Sequence, residues 1–139
     1  MDINIKIDWK EWNLGEKVIF ASACVAVLSL LMPWISTSIV SLSGFSTYYA
    51  LILFLAFVYP LYYIMTKEVF NQNLALGLAG ISSGVCLLWM FNNTLDMGFG
   101  PTVNVTGSGM ILFFLCTLSL GFGIWKDKKV KETLEQDDI

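Results

Sequence analysis

Charge is almost absent from the middle of this 139-residue chain. Across the 108 residues from Val18 to Trp125, only Lys67, Glu68 and Asp96 are charged at neutral pH. A soluble domain has about 25% charged residues; here the figure is 14%, and most of that charge sits at the two ends. Mean hydropathy is +0.69. Several long uncharged apolar runs cannot all be hidden in a soluble core of this size while the surface stays wet. The pattern excludes a soluble enzyme, a nucleic-acid binder and a disordered chain. It leaves a small polytopic membrane protein, with the lipid bilayer as its first partner.

A bilayer-crossing helix takes about 20 mostly apolar residues, and helices are expected because lipid cannot satisfy an open backbone. Four stretches qualify: 18–34, 48–66, 74–92 and 108–125. They predict an all-α membrane protein in which a four-transmembrane-helix bundle forms one domain over 1–139. An arm, 1–17, precedes it at the interface, and a tail, 126–139, follows. Trp34, Trp89 and Trp125 fall near span ends, where amphipathic rings favour the headgroup level. All eight basic residues are Lys, and all lie in the arm, the 67–73 link or the tail. Loops 35–47 and 93–107 have none. By the positive-inside rule both termini are cytoplasmic and those two loops face outward. Lys without Arg, alongside Ile and Asn, fits an AT-rich prokaryotic genome and so a plasma (inner) membrane. The first apolar run follows four acidic residues and ends in Pro33-Trp34-Ile35, so a retained helix is expected rather than a cleaved signal.

The outer loops carry strand signals. Ile39–Ser43 is β-prone, Thr102–Thr106 alternates with period two, and Gly44 and the Phe99-Gly100-Pro101 corner punctuate them. Two short strands pairing with each other over the outer mouth, or two irregular loops, are the alternatives. In the arm, Ile3, Ile5, Ile7 and Trp9 alternate like a strand. Asp8 with Glu11 offers a capping box and Gly15 a stop, which predicts a short interfacial helix over 9–14 with two Trp rings at headgroup level. The tail reads as a solvated charged segment or as a frayed continuation of the fourth span.

In lipid, helices associate through close packing of small residues. Gly80 and Gly84 form a G-x-x-x-G with Gly77 one turn earlier, and Gly109, Cys116 and Gly123 recur at seven-residue spacing. These stripes are expected at helix–helix contacts, inside the bundle or between copies. Span two holds all five tyrosines and no small-residue stripe; Ala50 is expected to tolerate a larger side chain, and Pro60 to kink the helix near Ala56–Pro60.

Chemistry is sparse. The spans contain no Asp, Glu, Lys, Arg or His, whereas ion and proton pathways normally need such a group at depth. The four-span small multidrug-resistance exporters depend on a membrane-embedded Glu in their first span, where this chain has Ala, Ser and Cys. Helix rise puts Cys24, Cys116 and Cys86 about 10, 14 and 18 Å from the lysine-rich end, too spread for one metal site. No cofactor, metal or catalytic set is expected. Asp96, the single carboxylate in the outer loops, is a candidate for outer-loop recognition. Leu31-Met32-Pro33-Trp34-Ile35 followed by Ser43-Gly44-Phe45 resembles small prokaryotic four-span membrane proteins without assigned activity. The layout is also similar to that of claudins and their tetraspan relatives, without the claudin W…GLW…C…C loop signature. The resemblance implies architecture and no site residue. The expectation is a non-enzymatic assembly, accessory or scaffold subunit, as a homo-oligomer or with a larger membrane-protein partner. Alternatives are an oligomeric channel lined by Ser82, Ser83, Thr117 and Ser119, or an immunity or sensor protein that reads a ligand through its outer loops.

Overall fold

The computed structural model describes residues 9–68, 71–96, 98, 100 and 102–139. Within these, four helices are long and apolar enough to cross a membrane: α1 (Leu14–Leu31), α2 (Tyr48–Thr66), α3 (Gln72–Asn92) and α4 (Ser108–Asp137).

The caps explain where the helices start. Asn13 accepts from the Glu16 amide at 2.9 Å, and the Glu16 carboxylate accepts from the Asn13 amide at 2.9 Å. This reciprocal box starts α1 at Leu14. It corrects the expectation of a helix over 9–14 stopped by Gly15. Residues 9–11 form a turn, Gly15 lies inside the first turn of α1, and Asp8 and the Ile3/Ile5/Ile7 alternation lie outside the described residues. Trp12 is buried against Trp9 and Phe20. Helix α1 ends at Leu31 because Pro33 forces Met32 into extended backbone (φ −77°, ψ 161°). The Asn71 side chain caps α3, accepting from Leu74 N at 3.2 Å. Helix α2 runs continuously through a buried Pro60. It closes on Lys67 in the left-handed conformation (φ 55°), with Glu68 N donating to Tyr63 O at 3.1 Å, the wide bond of a Schellman cap.

Four short strands make the outer cap: β1 (Pro33–Ser36), β2 (Ser41–Ser43), β3 (Thr94–Leu95) and β4 (Val103–Asn104). The loops do not pair 39–43 with 102–106. Instead β1 pairs antiparallel with β2 and β3 with β4, each a hairpin within its own loop. Local hairpins close with far less loop entropy than a strand pair drawn from two separate loops. The hairpins are then joined edge to edge: Ser36 N donates to Val105 O at 2.9 Å and Gly107 N to Trp34 O at 2.7 Å, around an Ile35–Thr106 bridge. Trp34 is buried within the protein rather than turned toward its surface. Its indole N–H donates to Ser29 O at 3.0 Å, and its ring packs on Phe113 and Trp89.

Helices α1 and α4 form the most extensive pair. Their buried positions step by four and three: Gly15, Ile19, Ser22, Ala26 and Ser29 on α1, against Gly109, Phe113, Cys116, Leu120, Gly123 and Asp127 on α4. Such a spacing makes a straight seam between nearly antiparallel helices. Glycine lets the backbones touch at both ends. A Cβ on Gly15 would lie 2.6 Å from Gly123 O, and one on Gly109 would lie 2.6 Å from Ser29 O. On α3 the packed face is Ala75, Ala79, Ser82 and Cys86. Gly77, Gly80 and Gly84 are off that face, with nothing within 4 Å of an added Cβ. The internal-packing expectation for these three glycines is therefore corrected. The same holds for Ala50, which is fully buried and has no room to grow.

Candidate functional site

The described residues concentrate their polar contacts at the lysine-rich end, around one carboxylate. Asp127 lies one residue past Lys126 on α4, four after Gly123, so the α1–α4 seam carries it inward to 0% exposure. Its Oδ1 accepts from Asn13 Nδ2 at 2.7 Å; its Oδ2 accepts from Gln72 Nε2 at 2.8 Å and from Lys131 Nζ at 2.9 Å. One side chain thus holds the cap of α1, the first turn of α3 and the extension of α4 together. A buried carboxylate is tolerable when charge and lone pairs are satisfied in this way. The fold would not close over it if Gly15 carried a side chain: a Cβ there would sit 2.5 Å from the Asp127 amide nitrogen.

Beside this hub an open groove of about 620 Å³ lies between the α2–α3 connection and the α4 extension, lined among others by Glu16, Tyr63, Lys67, Gln72, Lys128 and Glu135. Its lysines are already paired. Lys67 bonds Glu11, Lys128 reaches Asn73 at 2.9 Å and Glu132 at 3.9 Å, and Lys131 holds Asp127. Both signs of charge alternate around the rim, an arrangement suited to a polar surface rather than to an anion or cation trap.

The residues singled out from sequence are scattered. Gly109, Cys116 and Gly123 lie on the α1–α4 seam, Pro60 is buried in α2, and Gly77, Gly80 and Gly84 point away from the rest of the chain. Asp96 is exposed in the outer loop, where its Oδ1 accepts from Gly98 N at 2.9 Å. It closes its own Asx turn; its neighbours Met97, Phe99 and Pro101 lie outside the described residues. Of the four hydroxyls named for a channel, two reach no surface and Ser83 is half-buried. Ser82 and Thr117 are buried and donate to the carbonyls of Leu53 and Phe114, while Ser119 is exposed. Among the described residues no group of three or more His, Cys, Asp or Glu converges.

Asp127, Asn13 and Gln72 were not singled out from sequence, and Gly15 was read as a helix stop rather than as the notch that admits α4. The signal was present: extending the Gly109–Cys116–Gly123 stripe by four residues lands on Asp127, a lone acid between lysines. No family model, curated protein or solved structure matches the chain.

Proposed function

We propose that the chain is a non-enzymatic membrane subunit that serves as an assembly or scaffold element, docking through α3 onto a second copy or a larger membrane protein. One observation carries the reading. The seam glycines Gly15, Gly109 and Gly123 are filled by neighbouring backbone, whereas Gly77, Gly80 and Gly84 have open space above them. In lipid, a glycine face has value mainly where another backbone comes close, since it offers little side-chain contact to acyl chains. Helix α3 is also the least covered span, with 22% of its apolar window buried against 44% for α4. The lysine-rich end is assigned to the cytoplasm, on the asymmetry of eight Lys against none in the outer loops.

The test is Gly80→Leu with Gly84→Leu. Nothing within the chain obstructs these side chains, so the isolated protein should melt within about 1 kcal/mol of the unaltered chain in detergent. Its assembly, read by size exclusion and by stoichiometric co-purification from membranes, should be lost. An unchanged assembly with both leucines in place removes α3 as the docking helix.

A further inference from the structure

We infer that the α1–α4 face holds one anionic phospholipid from the leaflet at the lysine-rich end, with its acyl chain in a groove between the helices and its headgroup on Lys126 and Lys129. This goes beyond the assembly reading and uses none of the α3 residues on which that reading rests.

The lysines divide into two sets. Lys67, Lys128 and Lys131 pair with Glu11, Glu132 and Asp127. Lys126 and Lys129 meet no carboxylate within 4 Å among the described residues; their ammonium groups sit over aromatic rings instead. Lys129 Nζ is 4.2 Å from the Trp125 ring centroid, and Lys126 Nζ is 5.5 Å from Trp125 and 5.7 Å from Phe122. Trp125 is 41% exposed and Phe122 49%, so these rings face out of the bundle at the end of the apolar stretch. An indole there sits at headgroup level, and a cation over its face keeps its full charge available to an anion. Two such cations side by side complement the phosphate of an anionic headgroup.

The same face of α4 leads to a place for the chain. A groove of about 300 Å³ lies between Val18, Ala21 and Val25 of α1 and Leu112, Leu115 and Ser119 of α4. Ser119 and Lys126 are seven residues apart, two turns on one helix face and about 10.5 Å along the axis. On α1, Lys17 stands one turn before Ala21, its ammonium 6.0 Å from the Trp9 ring, so a third cation of the same kind flanks the groove from the other helix. The groove is lined mainly by aliphatic side chains of the two helices and opens outward, which suits a flexible acyl chain.

The full chain in detergent, titrated with dioleoylphosphatidylglycerol or dioleoylphosphatidylcholine and read by native mass spectrometry, tests the site. Phosphatidylglycerol should bind on the order of tenfold tighter, as expected for two surface lysines near an anionic lipid. Lys126→Gln with Lys129→Gln should bring that preference to twofold or less, and Lys67→Gln with Lys128→Gln, which removes the same charge elsewhere, should leave it. Ser119→Trp fills the groove from its lipid-exposed side and should weaken phosphatidylglycerol binding several-fold with every lysine in place. Melting temperatures within a few degrees establish that each variant is folded. The proposal is overturned if the two lysine pairs behave alike, if Ser119→Trp has no effect, or if millimolar inorganic phosphate displaces the lipid, which would mark a simple anion site.

Discussion

Asp127 carries more of the polar architecture than any other side chain described. It has three donors from three segments and no exposure, so its loss leaves two amides and an ammonium without their acceptor. Removing one partner from a buried, hydrogen-bonded charge typically costs about 3–5 kcal/mol. Because Lys131 keeps solvent access, the lower end of that range applies. Asp127→Ala should therefore destabilise the protein by about 3 kcal/mol, and Asp127→Asn by roughly half as much, since one amide oxygen still accepts. Unfolding by SDS titration in mixed micelles measures both; equal stability of all three proteins would mean that the hub adds nothing. Ser22, Ser29 and Thr117 show the opposite economy. Each buried hydroxyl donates to a carbonyl three residues back in its own helix, so each is satisfied without linking one helix to another.

At the scale of the element, uncharged length made the helices legible from sequence. Every predicted span overlaps its helix, and the end of α2 at Thr66 agrees to the residue. The faces were legible only in part. A membrane helix is apolar all round, so hydropathy does not separate its packed side from its lipid side. Small residues remain as the signal, and α3 carries two sets: Ala75, Ala79 and Ser82 turn inward and Gly77, Gly80 and Gly84 outward. Glycine spacing left the α3 set open between a contact inside the bundle and one between copies, and the structure excludes the first. In α4 there was one stripe and no ambiguity. The sharp contrast between the two helices can be measured. Gly123→Leu would drive a side chain into Ile19 and the Gly15 carbonyl, 2.9 and 3.1 Å from the new Cβ; overpacking typically costs about 1–3 kcal/mol, and the upper end applies where backbone is the obstacle. That variant should fail to give a folded monomer in a thermal melt, whereas the same substitution at Gly84 should leave the monomer's melt unchanged.

For the whole molecule, the strand signals of both outer loops were legible but their partners were not, because alternation marks a strand without saying which edge it meets. The observed cap puts Ser38 and Thr102 in solvent at one end of the bundle and Glu68 at the other. Single cysteines at these three positions, in a chain with Cys24, Cys86 and Cys116 replaced, should react with a membrane-impermeant maleimide in whole cells at 38 and 102 and not at 68. Labelling at 68 alone would invert the assignment. The α1–α4 seam has a further consequence for biosynthesis. The broadest interface joins the helix made first among the four to the one made last, and both Asn13 and Gln72 wait for a carboxylate more than 50 residues downstream. Until Asp127 leaves the ribosome, the glycine notch of α1 stays open and three inserted helices have only their weaker mutual contacts to hold them. The nascent bundle is thus an open sheaf that a chaperone or quality-control protease can still inspect, and arrival of the fourth helix is the event that closes it.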